Sequence, residues 1–136
     1  AALPVLWYFA DPMCSWCWGF SPVIEAIREQ YGDRLKIALM LGGLRPEVST
    51  GMSQSECDEI LQHWREVHAR SGQTFSFDGA PVAGFVYDTE PASRAVISVG
   101  ALDAAARWTR RRPFRISKRC SMPSMSISAM SHRLAC

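Results

Sequence analysis

Two cysteines three residues apart, Cys14 and Cys17, sit in the stretch ADPMCSWCWGF. On a helical turn, residues i and i+3 carry Cβ atoms about 5–6 Å apart. That is near the separation a disulfide bridges, so such a pair passes between dithiol and disulfide with little backbone movement. If the pair opens a helix, free backbone N–H groups and the helix dipole favour a thiolate at Cys14 and do much less for Cys17, one turn further in. Cys14 is then the candidate nucleophile toward a substrate disulfide, and Cys17 the resolving thiol that releases the mixed intermediate. The residues between them, Ser15 and Trp16, bring no cation. A helix N-terminus alone is worth about 0.3–1 kcal/mol at an exposed site. The expectation is therefore a modest depression of the Cys14 pKa, and a pair less oxidising than one with a cation between its cysteines.

Other chemistries compete for the same residues. A structural zinc site needs four ligands, and the further candidates are Cys57, His63 and His68. Cys57 and His68 fall on the helical face that carries Leu61 and Trp64, so core burial accounts for them more cheaply, and no metal is expected. Five cysteines at 14, 17, 57, 120 and 136 make an odd, irregular set, unlike the framework of a secreted disulfide scaffold. Two buried thiols close together by chance is the remaining reading, against which the strand-then-helix setting counts. Trp16 is a candidate substrate-binding residue, either offering an apolar surface to unfolded substrate or standing merely half exposed, whereas Trp18 is expected to pack against the sheet.

The elements that must position this pair are legible on both sides of it. Val5 to Phe9 is a continuous apolar run rich in strand formers, which predicts a strand buried on both faces. After the cysteines, Phe20, Val23, Ile24, Ile27 and Tyr31 recur at helical spacing, and Gly32 stands where a helix ends. Pro22 leaves the helix start open. Either Ser21 and Pro22 are its cap and first turn, or the helix begins near Cys14 and Pro22 kinks it. Leu35 to Leu41 is a second strand candidate, so strand, helix and strand make a βαβ unit with a parallel pair. Ser53 with Glu56 forms a capping box for a helix running to about Arg70, with Ile60, Leu61, Trp64 and Val67 on one face. A loop over 72–88 follows, and Thr89 and Pro91 open a third helix through Ala95, Val96, Val99 and Leu102.

With 136 residues the chain has the length of one domain, and 48% hydrophobic content supplies a core. No apolar run reaches the roughly 20 residues of a membrane span. No signal-peptide pattern is present, although the chain begins at Ala1. The cytoplasm is the expected location, with the periplasm as the alternative. The net charge of +2 conceals a split: residues 1–103 hold all 13 acids and seven basic residues, and residues 104–136 hold eight basic residues and no acid. That last stretch is rich in Arg and Ser and lacks hydrophobic period. It reads as a disordered basic tail, and the near absence of stacking aromatics argues against nucleic-acid binding.

Four segments, YFADPMCSWCWGFSPVIEAI, LMLGGLRP, HWREVHARSGQTF and FVYDTEPASRAV, resemble in order the DsbA-like thioredoxin-fold proteins known as predicted protein-disulfide isomerases or FrnE-type oxidoreductases. The resemblance runs from about Leu6 to about Asp103. It implies an α/β thioredoxin-like fold with a helical insertion after the second strand, and a helix that starts at the C-x-x-C with Pro22 inside it. Cys14 and Cys17 align with the family's active-site pair. The implied activity is thiol–disulfide oxidoreduction or isomerisation, with no cofactor beyond the dithiol and with protein or small-thiol disulfides as substrates. No nucleic acid or membrane partner is implied, and the oligomeric state is left open.

The family continues through a longer insertion, a cis-proline loop facing the cysteines, a two-stranded hairpin and a last helix. None of these is recognisable after about residue 106, and neither Pro113 nor Pro123 precedes a plausible strand. The expected organisation is a domain over 1–106 lacking its C-terminal ββα half, with one sheet edge unpaired and apolar surface uncovered. Residues 107–136 follow as a tail, either disordered or the out-of-frame end of a truncated member. Two rival functions follow: an inactive remnant of the family, or a relative of kappa-class glutathione transferases and chromene-carboxylate isomerases. The latter group typically carries a serine rather than a cysteine pair, so Cys17 argues against it.

Overall fold

The computed structural model describes residues 2–110, with the backbone alone for 103–110. Residues 111–136, which hold most of the expected tail together with Pro113 and Pro123, lie outside the described residues. The elements are β1 (Val5–Ala10), α1 (Ser15–Tyr31), β2 (Lys36–Leu41), α2 (Gln54–Ser71) and α3 (Glu90–Arg110), with short 3₁₀ turns at Gly32–Arg34 and Phe77–Gly79. The domain boundary expected at 106 falls within α3.

β1 and β2 pair in parallel, in a register running from Val5 opposite Lys36 to Ala10 opposite Leu41. This is the βαβ unit predicted from the apolar pattern, and it gives the molecule its thioredoxin-like start. Its burial differs from the expectation. Along β1 the residues alternate: Leu6, Tyr8 and Ala10 are half-buried, and Val5, Trp7 and Phe9 are exposed, the last at 67%. Helix α1 packs on the first set, with the Tyr8 and Phe20 rings 6.1 Å apart. Met40, beside Phe9 in the register, shares the open face. A continuous apolar run predicts cover on both faces, but among the described residues the sheet has two strands and a helix against one face only.

The helix α1 settles the Pro22 question: it begins at Ser15, with Cys14 as its N-cap residue, and continues through the proline. A proline inside a helix removes one N–H and strands the carbonyl four residues earlier. Here that carbonyl belongs to Trp18, and it accepts from Ser21 Oγ at 2.7 Å and from Gln73 Nε2 at 3.0 Å. The Trp18 indole donates to the Thr74 carbonyl at 3.2 Å. These bonds tie Trp18 to the turn that follows α2. Gly32, at φ +50°, ends the helix as its pattern predicted.

α2 carries the predicted capping box, with Ser53 Oγ accepting from the Glu56 N–H and the Glu56 carboxylate accepting from the Ser53 N–H. Gly72 closes it in the left-handed conformation at φ +73°. Cys57, Trp64 and Val67 form its buried stripe and, with Met52 and Ala92, the centre of the core. Trp64 packs against Phe75 and Phe77, at 5.3 and 6.1 Å between ring centroids. His68 departs from the expectation of burial. It is exposed, and its Nδ1 lies 2.9 Å from the Gln73 carbonyl, because the buried stripe turns toward Val67 one residue earlier. α1 and α2 cross closely at Gly19, where an added Cβ would stand 2.5 Å from Val67 Cγ1.

The segments 44–52 and 84–89 are joined backbone to backbone. Met52 N–H donates to the Phe85 carbonyl, Gly84 N–H to Met52, and Thr89 N–H to Arg45. Thr89, fully buried, accepts the Arg45 N–H on its hydroxyl at 3.0 Å. This seam brings FVYDTEP alongside LRPEVSTGM and places both next to the cysteine loop.

Candidate active site

The N-cap residue Cys14 has extended backbone angles, so its sulfur lies at the open first turn of α1. The Cys17 thiol stands one turn on. Its hydrogen-bonding influence is the largest cause that lowers the Cys14 pKa from 9.0 to about 6. The Cys17 and Trp16 backbone N–H groups add to it, whereas burial and the nearby negative charge of Asp11 oppose it. Cys17 is pushed far above the ordinary thiol range, first because its proton is held by Cys14 and then by burial. At neutral pH the pair is thus a thiolate at Cys14 clasped by a protonated Cys17, which divides the roles of attack and resolution between them. The sequence points to the helix terminus as the main source of the depression, and the structure gives that part to Cys17.

Behind the cysteines lies Asp11, 5% exposed. One carboxylate oxygen accepts from the Met13 N–H at 2.8 Å and the other from the Leu44 N–H at 3.0 Å, while its carbonyl accepts from the Cys14 N–H at 3.1 Å. The Tyr87 hydroxyl donates to the Met13 carbonyl at 2.7 Å. Burial, and then the Cys14 charge, hold the Tyr87 hydroxyl protonated well above its ordinary range, so it stays a donor. The Arg45 guanidinium stacks over the Tyr87 ring at 5.2 Å.

Two hollows flank the pair. On the Cys14 side a cleft of about 360 Å³ is lined by Trp16, Arg45, Glu59, His63, Trp64 and Tyr87 among others. On the Cys17 side a shallower and more apolar groove of about 610 Å³ runs over Tyr8, Phe20, Pro22 and Val23, with Arg70 at its rim. Trp16, 42% exposed, borders both and carries the Arg70 guanidinium over its ring at 5.8 Å. Cys14, Cys17 and Trp16 are therefore brought together. Cys57 is buried in the core and His68 faces solvent at the far end of α2, whereas His63 lines the Cys14 cleft. Among the described residues no three metal-ligating side chains cluster.

The sequence reading missed Asp11, Arg45 and Tyr87. Asp11 had a local signal, because an aspartate whose side chain takes the N–H two residues on is an Asx turn. Tyr87 and Arg45 had none, since their roles depend on contacts with distant segments.

A parallel βαβ unit with a cysteine pair at the N-terminus of its first helix defines a thioredoxin-like domain. The solved structures the chain resembles are consistent with the DsbA-like thioredoxin-fold proteins expected from the sequence. It is similar to a protein of Nitrosomonas europaea assigned as a protein disulfide isomerase, at 49% identity and a TM-score of 0.68, over 76% of this chain and 49% of that one. It is also similar to the cytosolic disulfide reductase DsbM from Pseudomonas aeruginosa, at 29% identity and a TM-score of 0.60, over 73% of this chain and 47% of that one. The same reductase solved with glutathione matches at a TM-score of 0.59. The chain thus spans about half the length of these solved structures. No protein-family model and no curated protein matches it.

Proposed function

We propose that the chain is a thiol–disulfide oxidoreductase in which Cys14 attacks and Cys17 resolves. The observation that carries this reading is the thiolate-favoured Cys14 capping α1 at the mouth of a cleft, with the Cys17 thiol one turn further in. The Cys14 thiolate attacks one sulfur of a substrate disulfide, forming a mixed disulfide and expelling the other sulfur as thiolate. Cys17 then gives up its proton and attacks the Cys14 sulfur, expelling the second substrate thiol. The substrate gains two electrons, and the protein is left with a Cys14–Cys17 disulfide that an external thiol must reduce.

The substrates in this reading are disulfides of proteins or of small thiols such as glutathione. The Cys14 cleft is sized for a small molecule or a peptide turn, and it offers Arg45 to a carboxylate and Glu59 to an ammonium group. Trp16 forms the apolar wall against which substrate lies. The glutathione-bound reductase among the similar structures supports the small-thiol half of this reading. We place the protein with the FrnE-type oxidoreductases, in the cytoplasm, where a reducing thiol pool would keep the pair as dithiol. No helix among the described residues is long and apolar enough to cross a membrane.

The test is reduction of insulin and of oxidised glutathione by the chain beside its Cys14→Ser variant. Activity that depends on Cys14 is expected; equal rates in both proteins would remove the catalyst reading and leave the inactive remnant.

A further inference from the structure

The residue that leads into the nucleophile, Met13, is held on both sides. The Met13 N–H is taken by the Asp11 carboxylate, which also holds the Leu44 N–H, and the Met13 carbonyl is taken by the Tyr87 hydroxyl. The three anchoring segments lie 33 and 74 residues apart in sequence. Asp11 is buried without a cationic partner among the hydrogen bonds and ion pairs of the described residues, and Tyr87 is half-buried under Arg45. Burying a carboxylate is costly unless its oxygens are satisfied. Here both oxygens are used on backbone N–H groups of the two loops bordering the Cys14 sulfur, an expense that packing of the core does not require.

We propose that Asp11 and Tyr87 are positioning residues that clamp the Met13 peptide and so aim the Cys14 sulfur for in-line attack on a disulfide. The inference rests on the dithiol reading above and adds to it the source of the attack geometry. Displacement at a disulfide needs the attacking sulfur aligned with the bond that breaks on a bulky substrate constrained by the cleft walls, whereas a small alkylating reagent is free to bring its own carbon–iodine bond into line with an accessible thiolate. Loosening the clamp therefore slows disulfide attack more than alkylation, because alignment rather than charge is lost.

Tyr87→Phe removes the hydroxyl and keeps the ring beneath Arg45. The full chain, reduced, is mixed with an activated aromatic disulfide (dithiobis-nitrobenzoate) at pH 8, where the Cys14 thiolate is formed, and in parallel with iodoacetamide. The Cys14→Ser variant gives the background from the other cysteines in both reactions. The expected result is a fall of about tenfold in the disulfide rate constant, with the alkylation rate and the thiolate midpoint within about twofold of the parent. Asp11→Asn, which frees one of the two N–H groups, lowers the same ratio. It also moves the thiolate midpoint down, because a charge opposing the thiolate is gone. If Tyr87→Phe does not fold, the ratio in Asp11→Asn decides.

An unchanged ratio of disulfide attack to alkylation in a folded variant overturns the clamp. The parent thiolate cleaves the aromatic disulfide whether or not the chain turns over a biological one, so failure of the clamp is distinguishable from failure of the oxidoreductase reading. The latter shows as a parent that reacts with the reagent but turns over neither insulin nor oxidised glutathione.

Discussion

Removing the Cys17 thiol should return Cys14 toward an ordinary cysteine. The Cys14 pKa lies at about 6, down from 9.0, and the first cause is the hydrogen bond from Cys17. A shift of three units in a dry site corresponds to about 4 kcal/mol. Cys14 is only half-buried, so water screens the interaction, and about half that value is a better measure of what the bond supplies. In Cys17→Ala the thiolate midpoint is then expected to rise by about 1–2 units, into the range of about 7–8. At pH 7 the parent is roughly nine-tenths thiolate, and the variant falls to between about a half and about a tenth, so alkylation slows about two- to tenfold.

Thiolate absorbance at 240 nm, titrated from pH 4 to 10, reads the midpoint directly, with the Cys14→Ser/Cys17→Ala protein as blank. The two backbone N–H groups of the helix remain in the variant. If the midpoint stays near 6, those groups and the helix terminus hold the thiolate, and the role assigned to Cys17 is wrong.

Two further outcomes follow from the same structure. In the reduced protein, the folded Cys14 pKa lies below its unfolded value, so its contribution to stability is complete above about pH 9 and is lost as pH falls through about 6. The gap in urea midpoint between the reduced and oxidised forms should therefore shift in favour of the reduced form from pH 6 to 8, and a pH-independent gap contradicts the depressed pKa. At the α1–α2 crossing, Gly19→Ala drives a methyl into Val67 Cγ1. The overpacking costs about 1–3 kcal/mol against about 1 kcal/mol gained in helix propensity, so thermal melts should show a net loss that is absent when the change is made in a Val67→Ala background.

The parts of this molecule written in local pattern were readable from its residues. Ser53 and Glu56 announce the start of α2, Gly32 the end of α1, Gly72 the end of α2, and Cys14-x-x-Cys17 the chemistry, because each depends on residues within one turn of the chain. The open face of the sheet was not readable from the strand's own pattern, only from the C-terminal half that the resemblance implies to be missing. A run such as Val5 to Phe9 reports how apolar a strand is, and not what will cover it. His68 was misplaced for a related reason: His68 lies one residue, about 100° of helix, beyond Val67, and the buried stripe follows Val67 alone. The clamp was least legible, since Asp11, Leu44 and Tyr87 meet only when three separate segments are folded together.

That last feature bears on how the protein is made. Both cysteines leave the ribosome some 70 residues before Tyr87, and the carbonyl that Tyr87 must reach waits on the Met13 peptide until the 84–89 segment has docked on 44–52. In the interval the nascent chain carries two thiols beside a loop without its anchors, and synthesis at about 5–20 residues per second makes that interval several seconds long. The dithiol exists chemically before it exists as an aimed pair. Its exchange partners during those seconds are set by exposure alone, and selectivity begins only when the FVYDTEP segment arrives.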